Sequence, residues 1–166
     1  MSAGQRLPGT PRPKHIWRGF GGVEIAGDSW GDPSGPVVIL QHGGGQTRHS
    51  WKGAGEALGA AGYHAVAIDA RGHGDSSWAD EGNYGVEEKV EDLRCVCAAL
   101  GANHPILVGA SMGGGTSLVA VGDGKIDAAA LIMVDMAPKI ERDGQNKVQA
   151  FMDQNPDGFE SLQEVA

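Results

Sequence analysis

Pro105-Ile106-Leu107-Val108-Gly109-Ala110-Ser111-Met112-Gly113 is the stretch whose reading decides how this chain folds. A short, unbroken apolar run leads into G-x-S-x-G, the pattern in which a serine sits on a sharp turn between a buried strand and a helix. The flanking glycines let the backbone bend tightly, because no Cβ meets the neighbouring elements. Such a turn lifts the hydroxyl to the top of a sheet, where a base can reach it. Gly114 and Gly115 extend the small-residue surface, and Thr116 to Val121 can continue as the helix. Ser111 is therefore a candidate nucleophile. Its plain alternative is a small residue in a tight turn whose hydroxyl bonds the backbone.

The same strand and helix alternation extends on both sides of this turn. His15 to Trp30 reads as an opening hairpin that turns at Gly21-Gly22. Pro36-Val37-Val38-Ile39-Leu40 has the continuous apolar character of a central parallel strand. A Gly-rich loop from His42 to Gln46 follows, then a helix from Trp51 to about Ala61, with Ser50 as N-cap and Gly62 as its close. His64 to Ile68 is the next strand; it ends at Asp69 and a polar loop, Arg71 to Ser77. Val86, Val90, Leu93, Cys97 and Leu100 recur at helical spacing and stop at Gly101. Ala128 to Val134 reads as another buried strand, ending at Asp135. Strands alternating with helices at short spacing predict an α/β fold: a mainly parallel sheet with helices on both faces. Ligands of such sheets bind beyond the carboxyl ends of the strands. The His42 loop, Asp69, Ser111 and Asp135 all fall at those ends.

Composition narrows the partners. The 166 residues are 40% apolar and 20% charged, as in an ordinary globular domain, and 28 glycines suit a fold with many tight turns. A net charge of −8 argues against nucleic acid or an anionic membrane as partner; the partner expected is a small-molecule substrate. No apolar run approaches the ~20 residues that span a bilayer. The stretch from Met1 to Lys14 reads as a flexible tail without the apolar segment of a secretory signal, so the expected location is cytoplasmic. Cys95 and Cys97, spaced i,i+2, point to different sides of a helix; that suits buried free thiols and neither a disulfide nor a zinc pair.

Three blocks together resemble the α/β-hydrolase superfamily: Gln41-His42-Gly43-Gly44-Gly45, Asp69-Ala70-Arg71-Gly72-His73-Gly74-Asp75-Ser76, and Gly109-Ala110-Ser111-Met112-Gly113-Gly114. They stand in the family's order, and the resemblance covers residues 15–140. It implies that Ser111 attacks a carbonyl carbon, with no cofactor and no metal. The oxyanion so formed needs donors already aimed at it. The amide of Met112, at a helix N-terminus, is one. The second is expected from the Gly43-Gly44 loop, with Gly44 preferred. An aspartate nucleophile, as in related dehalogenases and epoxide hydrolases, is disfavoured because serine occupies the turn.

The resemblance also assigns what Ser111 lacks. His42 and His73 belong to loop scaffolds in this family, and His15, His49, His64 and His104 lie near element ends. No histidine follows His104, although the family order is serine, acid, then histidine. Asp135 is the candidate acid; its plain alternative is a carboxylate capping a turn before Pro138. Asp69 and Asp75 are expected to brace the Arg71 loop. Val148, Phe151 and Met152 read as a short amphipathic helix, and Ser161-Leu162-Gln163-Glu164 spells the capping box of a helix that is just beginning. Residues 141–166 therefore resemble the start of a cap segment, and the chain a C-terminally truncated hydrolase lacking its last strands. Ala128–Val134 would then be an apolar sheet edge. A gene fragment, a split gene and a minimal protein all stay open.

The expected function is a serine hydrolase acting on an ester or related acyl substrate through an acyl-enzyme, with little or no turnover by these 166 residues alone. A cofactor-free haloperoxidase or perhydrolase, or a carbon–carbon bond hydrolase, would use the same residues. A non-catalytic ligand-binding module is the alternative from another class. A nucleotide-binding fold is disfavoured, because Gly109 to Gly115 fits neither G-x-G-x-x-G nor the P-loop.

Overall fold

The computed structural model describes residues 9–79, 82–136 and 150. Residues 1–136 form one compact unit and 137–166 a second. The readings placed on residues 1–8, and on 141–166 apart from Ala150, lie outside the described residues.

The first unit is built on a six-stranded sheet. The strands are β1 (His15–Arg18), β2 (Glu24–Trp30), β3 (Val37–Gln41), β4 (His64–Ile68), β5 (Ile106–Ala110) and β6 (Ala130–Val134), and the spatial order is β1-β2-β4-β3-β5-β6. β1 and β2 enter as the expected hairpin, and β2 pairs antiparallel with β4. The pairs β3–β4, β3–β5 and β5–β6 are parallel. The chain leaves β3 for β4 on one side and later returns to β5 on the other. That reversal opens a crevice beyond the ends of β3 and β5.

Both faces of the inner strands are apolar, and helices cover both. Val38, Leu40, Ala65, Ala67 and Val108 face the side on which Trp51, Leu58 and Tyr63 pack, next to α1 (Lys52–Ala60). Ile39, Val66, Ile68 and Leu107 face the other side, against Val90, Leu93, Val96 and Cys97 of α2 (Val86–Ala99) and Ala120 of α3 (Met112–Gly122). Alternate residues of one strand thus feed two cores, which is why the strands read as continuous apolar runs.

Three local readings are corrected. Ser50 does not cap α1. A 3₁₀ turn, Arg48–Trp51, comes first, and the Ser50 hydroxyl donates to the Thr47 carbonyl at 2.6 Å, so Trp51 stands at the N-cap without a side-chain cap. The last strand is not buried; it is, among the described residues, the apolar sheet edge that the resemblance to a truncated hydrolase implies. None of its residues is closed to solvent, and Ile132 and Val134 are 48% and 39% exposed, because β6 is the sheet edge among the described residues. Cys97 is buried as expected, while Cys95 is only half-buried. Residues 9–14, read as part of a flexible tail, are held at two points: Pro11 offers its carbonyl to Arg48, and Lys14 donates its amide to Asp28. Among the described residues, no helix is long and apolar enough to cross a membrane.

Candidate active site

Register brings the candidate residues together. Gln41 pairs with Gly109, so the chain beyond β3, His42-Gly43, runs beside the chain beyond β5, Ala110-Ser111. Ala110 in turn pairs with Val134, and the Ser111 amide donates to the Val134 carbonyl at 3.4 Å. Asp135, the next residue, therefore leaves its strand alongside the serine.

Ser111 takes φ 44°, ψ −109°, between the last residue of β5 and the first of α3. Positive φ with that ψ lies outside the left-handed basin that L-residues occasionally visit, so the turn is strained. Its glycines are sterically required. A Cβ on Gly113 would stand 2.5 Å from the Gln41 carbonyl oxygen, and one on Gly114 would stand 2.8 Å from the Gly109 oxygen. The Gly113 amide fixes the turn to the neighbouring loop by donating to the His42 carbonyl at 3.2 Å. Ser111 is exposed, and its hydroxyl has no hydrogen-bond partner among the described residues.

The donors beside it divide into engaged and open groups. The amides of Ser111, Gly113 and Gly115 are paired with the carbonyls of Val134, His42 and Ser111. The Met112 amide, at the start of α3, has no acceptor among the described residues. Across the crevice, a Cβ on Gly43 would lie 3.5 Å from the Ser111 Cβ, which places that loop directly against the serine. The Gly43 amide, however, donates to Gln46 Oε1 at 3.0 Å. The Gly44 amide has no acceptor among the described residues, and open space surrounds its Cα.

His42 is walled in by its own bonds. Its Nε2 accepts the Ala70 amide at 3.0 Å, so the proton is on Nδ1, which donates to the Gly43 carbonyl at 2.8 Å. Burial, aided by the neighbouring His73 ring 5.0 Å away, holds its pKa below the usual imidazole value. With both nitrogens occupied, it shapes the loop and has no free position for a proton from Ser111. His73 bridges the Arg71 carbonyl at 3.1 Å and the Gly45 amide at 3.4 Å. His64 and His104 lie at the opposite, amino-terminal ends of β4 and β5, and His104 pairs there with Asp127. His15, on β1, pairs with Ser29.

Asp69 braces the loop after Arg71, accepting the Asp75 amide at 3.0 Å and the Ser76 hydroxyl at 2.7 Å, and Asp69 and Asp75 also reach outside that loop. Both bind Arg48, at 2.6 and 2.8 Å, and Asp28 adds a third contact at 2.9 Å. Arg71 is held instead by Asp92 of α2, through Nε at 2.6 Å and Nη2 at 2.7 Å. The sequence motifs do not single out Gln46, Arg48 or Asp92. For Asp92 a signal existed: a carboxylate one position before Leu93, on the buried side of the α2 stripe. A cleft of about 230 Å³ opens beside Met112, walled by His73, Trp78, Tyr84 and Lys89. The Lys89 ammonium is turned to the carbonyls of Tyr84 and Gly85, and burial lowers its pKa. Among the described residues, no group of three or more His, Cys, Asp or Glu side chains could hold a metal ion.

Comparison with known proteins agrees with this fold. A family model described as the alpha/beta hydrolase fold matches residues 36–164. An esterase of Mycobacterium tuberculosis is 37% identical over 109 residues, covering 66% of this chain and 35% of that protein. A monoacylglycerol lipase of Mycolicibacterium smegmatis is 38% identical over 113 residues, covering 64% of this chain and 40% of that protein. Among solved structures, epoxide hydrolase A from Mycobacterium thermoresistibile superposes with a TM-score of 0.69 at 26% identity, over 82% of this chain and 44% of that one. The chain thus spans 35% to 44% of the length of these three proteins.

Proposed function

The chain belongs to the α/β-hydrolase fold family, and from that premise we propose that Ser111 is the nucleophile of a serine hydrolase acting on an ester or related acyl bond. The observation that carries this reading is the strained Ser111 turn, with two open amides, Met112 and Gly44, on either side of it. The hydroxyl oxygen attacks the carbonyl carbon, and the carbonyl oxygen takes up the negative charge. The Met112 and Gly44 amides receive that charge; each such donor is worth roughly 3 kcal/mol of barrier. The alcohol then leaves, and water releases the acyl group from Ser111. The cleft beside Met112 receives one of the substrate's apolar arms, against Trp78 and Tyr84. Asp135 is the acid that orients a base, which fits its departure from β6 next to the Ser111 amide. An epoxide-opening reading would require a carboxylate where Ser111 stands.

Ser111 must pass its proton to a base, and its hydroxyl has no partner among the described residues. With no histidine after His104 in the sequence to take that proton, slow acylation by the 166-residue chain is expected, with small or absent turnover. The same observation favours the second reading, a ligand-binding module built on a hydrolase scaffold. A fluorophosphonate probe followed by intact-protein mass measurement separates the two. Single, slow labelling that Ser111→Ala abolishes supports the hydrolase. No label after prolonged exposure, or label that survives Ser111→Ala, supports the binding module.

A further inference from the structure

Gly43 lies against the serine, yet its amide is not available to a substrate. Every polar group of Gly43 is engaged: the amide by Gln46 Oε1 at 3.0 Å, and the carbonyl by His42 Nδ1 at 2.8 Å and the Gln46 amide at 3.1 Å. Gly43 is buried, so its amide left without a partner would be costly. The next peptide is the opposite case, since the Gly44 amide has no acceptor among the described residues and is exposed. We propose that Gln46 is a positioning residue: its side-chain carbonyl holds the Gly43 amide and so leaves Gly44 as the donor this loop presents to an oxyanion on Ser111. This rests on the reading of Ser111 as nucleophile.

A purely structural role for Gln46 would be closure of a surface turn. The backbone already closes that turn, through the Gln46 amide on the Gly43 carbonyl, with Gly45 at φ +72° inside it. The side-chain bond is a second link across the same four residues, and it goes to the amide of the glycine that lies against Ser111. A Cβ built on Gly43 would sit 3.2 Å from Gln46 Oε1, 3.7 Å from its Cδ and 3.5 Å from the Ser111 Cβ, so the carboxamide and the serine are neighbours across Gly43. The Gly44 N–H shares a peptide plane with the Gly43 carbonyl, which His42 Nδ1 and the Gln46 amide hold; the side-chain bond to the Gly43 amide fixes the preceding peptide, so that the glycine between them does not turn one plane against the other. Preorganised donors owe their effect to being fixed before charge develops.

The test measures amide exchange of Gly43 and Gly44 by NMR on the full chain, together with the rate of fluorophosphonate labelling at Ser111. In the unmodified chain, Gly43 exchanges at least about tenfold more slowly than Gly44. Gln46→Met keeps the length and removes the acceptor; it should speed Gly43 exchange and slow labelling, each by about tenfold or more. Gln46→Glu keeps an acceptor, so Gly43 stays protected, while the added negative charge beside the oxyanion still slows labelling. Equal exchange of the two amides, or unchanged exchange and labelling in Gln46→Met, overturns the proposal. Failure of the serine reading has a different signature, which is labelling undiminished in Ser111→Ala.

Discussion

Arg48 and Asp69 meet at 2.6 Å, Nη1 to Oδ2, and neither side chain reaches solvent. The guanidinium also contacts Asp28 and Asp75, and the Arg48 amide donates to Asp69 Oδ1 at 2.6 Å. Burial alone would lower the Arg48 pKa; the three carboxylates outweigh it and push the value up. This cluster ties the 3₁₀ turn that follows the oxyanion loop to the loop after β4. Arg48→Met would leave three carboxylates facing a neutral side chain. Breaking a buried pair from one side typically costs about 3–5 kcal/mol, and a loss of that size is expected in urea unfolding. A loss below about 1 kcal/mol, the range of exposed pairs, would mean that water replaces the guanidinium.

His42 makes stability depend on pH. Burial is the main reason its folded pKa lies below the ordinary imidazole value of 6.5. The unfolded chain then binds more protons than the folded one between that lowered value and 6.5. Its contribution is complete above 6.5 and is lost as pH falls through that window. Protonation also removes the Nε2 acceptor of the Ala70 amide. His64, likewise lowered by burial, acts in the same direction. Urea midpoints measured from about pH 7 to pH 5 should therefore fall, and His42→Gln should flatten part of that slope. An identical slope in the variant would show that His42 is not the group titrating.

Gly113, in the first turn of α3, and Gly44, in the loop after β3, should respond differently to alanine. A Cβ on Gly113 meets the Gln41 backbone at 2.5 Å, in the close crossing of α3 over β3, and that backbone cannot yield cheaply. Gly113→Ala is expected to cost about 1–3 kcal/mol, as overpacking does. A Cβ on Gly44 meets nothing within 4 Å. Gly44→Ala should leave stability within about 0.5 kcal/mol of the parent. Thermal melts of the two variants check both values, and equal losses would contradict the packing argument.

The features that could be read from the sequence are those set by neighbouring residues. The apolar run before Ser111, the glycines of its turn and the strand ends that carry His42 and Asp135 all follow from local pattern. The parallel sheet then brings those ends together. The charge clamps did not follow, because Arg48 pairs with Asp28 and Asp69 across 20 and 21 positions, and many carboxylates lie at such distances. The apolar pattern of β6 does not place it by itself, because an apolar strand reads alike in the centre of a sheet and at its edge; its edge position was legible only through the resemblance to a hydrolase lacking its last strands. Ser50 had the chemistry of an N-cap, but its hydroxyl found the Thr47 carbonyl first. Gln46 was passed over because a carboxamide after three glycines looks like loop filler until its bond to Gly43 is seen.

The strain at Ser111 can be separated from its chemistry. The residue sits at φ 44°, ψ −109°, and its hydroxyl has no partner among the described residues, so deleting the hydroxyl alone should cost little stability. Ser111→Ala removes the nucleophile and keeps the Cβ, and with it the strain. Ser111→Gly removes both. Backbone strain of this kind is worth about 1–3 kcal/mol, and glycine returns roughly 0.5–1 kcal/mol of that through the greater freedom of the unfolded chain. Ser111→Gly should therefore be more stable than Ser111→Ala by about 1 kcal/mol, while neither takes up the fluorophosphonate. If Ser111→Ala proved the more stable, the turn would hold no strain, and its geometry could not be read as stability given up to expose a nucleophile.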